Sequence, residues 1–256
     1  MIWRIVVCCL FLLSCSSAID VPLEEPALQR LRGKKVLIAV TSHARFGKLE
    51  RTTGYWLEEV AHFHEYMKHA GLVVDFVSPK GGAAPMDPES DESDDLNDAF
   101  RNDREAMAKL ARTMKPDQIE PDAYVAIYFA GGHGTMWDFR HDEGLQAIAA
   151  RIYERGHLVA AVCHGPAALL GVRLTNGKHL LAGKTVTGFS NAEESLIGLT
   201  EDVPFLLQDE LEARASYDKA VFPFASYVVV SGRLITGQNP ASTDETAKAV
   251  LSALGE

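Results

Sequence analysis

Long apolar runs are nearly absent from this 256-residue chain. The one unbroken run, Ile5 through Leu13, is too short to cross a bilayer as a permanent helix. Cysteine is scarce as well. Of four cysteines, Cys8, Cys9 and Cys15 fall at the extreme N-terminus, which leaves Cys163 alone in the body and excludes an internal disulfide there. Surplus positive charge is missing: Lys and Arg total 25 against 35 Asp and Glu, and no Lys/Arg-rich run occurs. That balance argues against a sequence-independent nucleic-acid binder, which needs cations to neutralise phosphate. There is no internal repeat, P-loop or dinucleotide fingerprint, and Glu58-Glu59-Val60-Ala61-His62 lacks the first histidine of H-E-x-x-H. His62 and His64 are two apart and would not share a helix face, so with His69 they read as scattered surface histidines. Neither a required metal nor a cofactor is expected. What remains is an ordinary globular composition, 47% hydrophobic and 23% charged, long enough for one large domain or two small ones.

The N-terminus reads as a targeting segment. Arg4 supplies a short positive region, Ile5–Leu13 the apolar stretch, and Ser16, Ser17 and Ala18 the small residues of a cleavage site. The pattern predicts an exported protein, periplasmic or secreted. A second reading uses the same residues: Leu12-Leu13-Ser14-Cys15 resembles a lipobox, in which Cys15 is lipidated and anchors the protein to a membrane. Residues 19–33, with Pro22, Pro26 and several acids, then read as a tether to a domain spanning 34–256.

Within that domain, strands alternate with helices. Val36–Val40 is an apolar run, rich in β-branched residues, of the kind buried on both faces of a parallel sheet, and Leu72–Val77 is the next strand. Between them, Trp56, Val60, Phe63 and Met67 recur at helical spacing across Thr53–Ala70. Residues 81–117 interrupt this rhythm and read as an insertion placed to cover part of a site, with Leu96–Met114 helical. Further strands are expected at 123–130, 158–162 and 184–188. A hairpin is expected within 221–237 around Ser231-Gly232, and helices over 145–155, 193–199, 205–214 and 243–254, with another beginning at Pro166. The fold class is therefore α/β, a three-layer sandwich with a mostly parallel, flavodoxin-like sheet.

The most informative stretch is Ala161-Val162-Cys163-His164-Gly165-Pro166. An apolar strand runs straight into a cysteine, small residues flank it at −2 and +2, and a proline opens the next helix. This is a cysteine version of the nucleophile elbow. It would push the side chain out at the carboxyl edge of the sheet, where open α/β folds place their ligands. A helix N-terminus there should lower the thiol pKa. A buried, inert cysteine is the alternative.

These residues resemble the nucleophile motif of the ThiJ/PfpI superfamily, which shares its fold with class I glutamine amidotransferases. Three more segments are similar to that family: Phe129-Ala130-Gly131-Gly132-His133-Gly134-Thr135-Met136-Trp137-Asp138-Phe139, the stretch from Thr185 to Glu194, and the stretch from Leu234 to Ser242. Together they point to the branch of heat-inducible chaperones and glutathione-independent glyoxalases. The resemblance implies that Cys163 is the nucleophile, with His164 and Glu194 completing a triad-like set. It also implies that Glu59 is a buried carboxyl beside the thiol, and that backbone N–H groups at Gly131, Gly132 and just after Cys163 form an oxyanion hole. Glu193 reads as a solvated helix-start acid. Family members are often homodimers.

The implied activity converts methylglyoxal-type 2-oxoaldehydes to 2-hydroxy acids such as lactate, with a small reactive aldehyde as the partner. A glutaminase is disfavoured, because the only H-x-E, His141-Asp142-Glu143, precedes the cysteine. A holdase chaperone that binds unfolded proteins, a redox-stress role and a peptidase are the other readings.

Overall fold

Apolar runs scattered along the sequence become neighbours in one sheet. The computed structural model describes residues 19–256, so the export and lipidation readings, including Cys15, fall outside the described residues. In chain order the elements are α1 (Glu25–Leu31), β1 (Lys35–Ala39), α2 (Leu57–His69), β2 (Val73–Val77), α3 (Asp95–Asn102), α4 (Arg104–Leu110), β3 (Tyr124–Phe129), α5 (Thr135–Asp138), α6 (Glu143–Glu154), β4 (Leu158–Val162), β5 (Thr185–Val186), α7 (Asn191–Leu196), α8 (Leu207–Glu212), β6 (Ser216–Tyr217), β7 (Val228–Ser231), β8 (Leu234–Gly237) and α9 (Thr243–Gly255).

Six strands form the main sheet in the order β2-β1-β3-β4-β8-β7, parallel except for the β7–β8 hairpin. The order is the flavodoxin-like winding. β1–α2–β2 steps one way along the sheet and β3–α6–β4 the other, so right-handed crossovers put α2 and α6 on opposite faces. α9 packs beside α2 and over β4 and β8. The three-layer sandwich expected from the sequence is the observed fold. β4 is buried along its whole length, which is why Leu158–Val162 reads as a continuous apolar run.

The differences are local and have local causes. The helix expected from Thr53 begins only at Leu57, because 53–56 runs extended against 85–87: the Tyr55 and Asp87 backbones pair, and Ser90 Oγ accepts from Leu57 N. The helix expected over 96–114 breaks at Asp103, whose side chain leaves α3 to cap the amides of Glu105 and Ala106 in α4. The segment after the elbow, Gly165–Gly171, is a 3₁₀ helix. β6 was not anticipated; it pairs with β5 in a separate two-stranded sheet.

Two domain-level expectations are corrected. Residues 19–33 do not read out as a bare tether: α1 buries Ala27 and Leu31, and Arg30 Nη2 donates to Gly255 O at 2.6 Å, joining the segment to α9. The 81–117 insertion does not line the cavity described below. Asp87 and Ser90 instead brace the start of α2 from behind.

Candidate active site

β4 ends at Val162, and Cys163 follows with φ 56°, the left-handed region that a side chain enters only under constraint. Three backbone contacts impose it: Cys163 N–H donates to Gly237 O, Cys163 O accepts from Phe189 N, and Gly165 lies against β3. A Cβ on Gly165 would fall 2.1 Å from Phe129 O, so only glycine fits there. The elbow read from the sequence is present.

The thiol does not stand alone. Cys163 Sγ lies 3.3 Å from His164 Nδ1, and His164 Nε2 lies 2.9 Å from Glu194 Oε2. With a carboxylate on its Nε2 side, the imidazole carries its proton there and leaves Nδ1 free to accept one from the thiol. All three residues are buried. On the other side, Glu59 rises from the first turn of α2. Its Oε2 accepts from Gly131 N at 2.5 Å, and its Oε1 is buried with no hydrogen-bond partner. Its half-buried neighbour Glu58 takes no part.

The two glycines do different work. Gly132 N–H faces the cysteine, as an oxyanion donor must. Gly131 N–H is committed to Glu59, so Gly131 is not an oxyanion donor, contrary to expectation. Its role is space: a Cβ there would lie 2.7 Å from His164 N and 2.9 Å from Cys163 Cβ.

A family model described as DJ-1/PfpI matches residues 51–253. The chain belongs to the DJ-1/PfpI family. It is 35% identical over 233 residues to the glutathione-independent glyoxalase HSP31 of Saccharomyces cerevisiae, covering 86% of this chain and 98% of that one. Among solved structures, the rapid encystment protein of Francisella tularensis superposes with a TM-score of 0.83 at 40% identity, covering 86% of this chain and 99% of that one. Glyoxalase III from Candida albicans does so at 0.80 and 29%, covering 86% and 96%.

Electrostatics in this DJ-1/PfpI site run against one expectation. The Cys163 thiol is not acidified. Burial pushes its pKa well up, and the carboxyl of Glu59 adds to the effect. No α-helix follows the elbow to offset this; the 3₁₀ segment does. Burial likewise drives Glu59 well above the usual carboxylate range. Glu194 goes the other way: burial would raise it, but His164 and His133 outweigh that and hold it well below the usual range.

Sequence reading missed several residues. His133 Nε2 donates to Glu194 Oε1 at 3.0 Å, and its ring lies 4.1 Å from that of His164. Burial first, then the nearby His164, pushes it down to about 4, so it is neutral at physiological pH. Its place directly after the glycine pair was the available signal. Glu193 is fully buried rather than solvated, with Oε1 accepting from Phe224 N and Asn239 Nδ2. His64 is a core histidine, 2.9 Å from Glu65 and edge-on to Phe100, not a surface one. His133, His164 and Glu194 bring three ligand atoms within 4.8 Å, as do His64, Glu65 and Asp103, so the described residues include two sets with the spacing to hold a metal ion. In the first set those atoms already bond to one another. In the second, Lys68 Nζ lies 2.6 Å from Asp103. His141 and Glu143 are exposed and take no part.

Cys163, His133, His164 and Gly132 border a cavity of about 160 Å³ whose remaining walls are Trp56, Phe189, Ile197, Phe224 and Pro240.

Proposed function

We propose that this chain is a cysteine-dependent, glutathione-independent glyoxalase converting 2-oxoaldehydes such as methylglyoxal to 2-hydroxy acids such as lactate. The observation that carries the reading is the convergence of two separate proton carriers on one thiol. His164, backed by Glu194, and the Glu59 carboxyl, whose Oε2 is held by Gly131 N–H, both meet the Cys163 thiol. Relatives named glutathione-independent glyoxalases, matched over 98% of their length, support it.

The chemistry balances without an external oxidant. Cys163 Sγ adds to the aldehyde carbon while its proton passes to His164 Nδ1 and the aldehyde oxygen takes the Glu59 proton, giving a hemithioacetal. Glu59 then removes the hydrogen from that carbon as His164 protonates the neighbouring carbonyl oxygen, giving an enediol. Glu59 returns its proton to the second carbon and the first hydroxyl gives its proton to His164, leaving a thioester. Water adds to the thioester with its proton taken by Glu59, the leaving sulfur takes the His164 proton, and the 2-hydroxy acid departs. One carbon is oxidised and its neighbour reduced. Gly132 N–H, which faces the cysteine, would stabilise the developing oxyanion, joined by the amide after Cys163 as the family resemblance implies.

The test is lactate formation from methylglyoxal without glutathione. Wild type should turn over and Cys163→Ala should fall by at least about 10³-fold. Equal rates would remove the reading. A holdase reading draws support from Val221 and Phe222, large apolar side chains 90% and 74% exposed. Suppression of client aggregation that persists in Cys163→Ala would establish it alongside catalysis.

A further inference from the structure

Among the described residues, only two non-glycine residues adopt positive φ: Cys163 at 56° and Phe224 at 60°. They line the same cavity. A bulky side chain in this region is strained, and such strain persists only where neighbours over-determine it. At Phe224 the neighbour is Glu193. This fully buried carboxylate accepts from Phe224 N at 2.8 Å and from Asn239 Nδ2 at 2.8 Å, while its other oxygen accepts from Ser190 N and Oγ. Adjacent acids on α7 therefore divide the labour: Glu194 serves the histidine beside the nucleophile, and Glu193 fixes a wall of the cavity. The clamp seats the Phe224 ring 6.2 Å from that of Phe189, which in turn lies 4.5 Å from the His164 ring.

The chemistry of that wall is one-sided. Polar atoms gather at the thiol, and no lysine or arginine lines the cavity among the described residues. A substrate carrying a carboxylate or phosphate away from its aldehyde would have to bury that charge unpaired. Methylglyoxal, with a single methyl substituent, would leave much of the apolar space empty. The volume of about 160 Å³ is close to that of an apolar cavity, about 150 Å³, known to take up benzene. The mouth stays open at Ile197 and Phe224, 42% and 45% exposed, which leaves room for a ring to extend beyond the enclosed space.

We infer that the site prefers 2-oxoaldehydes bearing an apolar ring over methylglyoxal, and that Phe224, held by Glu193, is the residue that sets the preference. The inference rests on the glyoxalase reading and names its substrate class. The added ring contacts Phe224, Phe189 and Ile197 as the aldehyde carbon meets Cys163, so the gain appears in kcat/KM.

The experiment compares phenylglyoxal with methylglyoxal in wild type, Phe224→Ala and Phe224→Leu, with Cys163→Ala as the blank for non-enzymatic loss. The kcat/KM ratio should exceed about 10 in wild type, fall at least about tenfold in Phe224→Ala and lie between in Phe224→Leu. Acetophenone, an aromatic ketone without an aldehyde, should inhibit methylglyoxal turnover at least about tenfold better than acetone, and Phe224→Ala should narrow that gap. Circular dichroism checks that the variants fold; were Phe224→Ala unfolded, the Phe224→Leu ratio and the wild-type inhibitor comparison would still decide. A wild-type ratio at or below one, with both substrates consumed only when Cys163 is present, overturns the preference and leaves the glyoxalase reading standing. A ratio that ignores residue 224 overturns its assignment. Consumption of neither substrate beyond the blank removes the glyoxalase reading and this inference with it.

Discussion

Cys163 and Glu59 are both fully buried and both hold their protons more tightly than usual. The resting thiol is therefore neutral and must hand its proton to His164 as it attacks. Alkylation of Cys163 by iodoacetamide should be slow at neutral pH and rise steadily from roughly pH 6 to 9. A plateau already reached in acid would mean a preformed thiolate. For Glu59 the linkage has a definite sign. Its folded pKa lies well above its unfolded value, so between the two the unfolded chain binds fewer protons and stability falls as pH rises. Glu59→Gln removes that loss. The variant should gain in Tm over wild type with increasing pH, while its glyoxalase rate drops by about 10²-fold or more; a pH-independent Tm difference would contradict the assignment. For Glu194 the sign reverses. Its contribution is present above the unfolded pKa and is lost as acid protonates it, and Glu194→Gln should lower kcat by about 10²- to 10⁴-fold by leaving His164 unsupported. At this scale the cysteine stood out in its elbow motif, whereas the roles of His164, Glu59 and Glu194 came only from the family resemblance. The thiol pKa was not legible. It depends on a carboxyl 104 positions earlier in sequence that only folding brings close, and the same is true of His133 and of the Glu193–Phe224 clamp.

The elbow is the element on which the account turns. β4 delivers Cys163, and the strained turn survives because Gly165 lets the chain pass against the β3 carbonyl of Phe129. Gly165→Ala must move backbone rather than a flexible side chain. It should cost about 3 kcal/mol or more, measured by urea denaturation. A cost below about 0.5 kcal/mol would show that the turn tolerates a Cβ. Strands buried on both faces were easy to read, since continuous apolar runs have few other uses. Helix boundaries were harder, because long-range partners set them. Ser90 delays the start of α2 until Leu57, and the side chain of Asp103 cuts one expected helix into two. Very short strands such as β5 and β6 carry too few residues for a period-two pattern.

For the whole molecule, the sheet order and crossovers bring motifs scattered from Glu59 to Asn239 to one carboxyl edge, which explains why four separated segments share one family resemblance. α1 extends the domain toward the N-terminus by packing on α9, so a mature chain beginning at Ile19 would retain it intact. We propose export from the N-terminal pattern, on which mass spectrometry of the mature N-terminus should find either Ile19 or a lipidated Cys15. An intact Met1 would contradict export. The central claim is that the substrate's carbons pass through Cys163, and intact-protein mass spectrometry after rapid acid quench tests it most directly. Wild type mixed with excess methylglyoxal should carry one added methylglyoxal mass, mapped to the Cys163 peptide, forming and decaying at rates that match lactate release. Lactate formed at full rate while Cys163 stays unmodified, or an equally productive Cys163→Ala protein, would contradict the account.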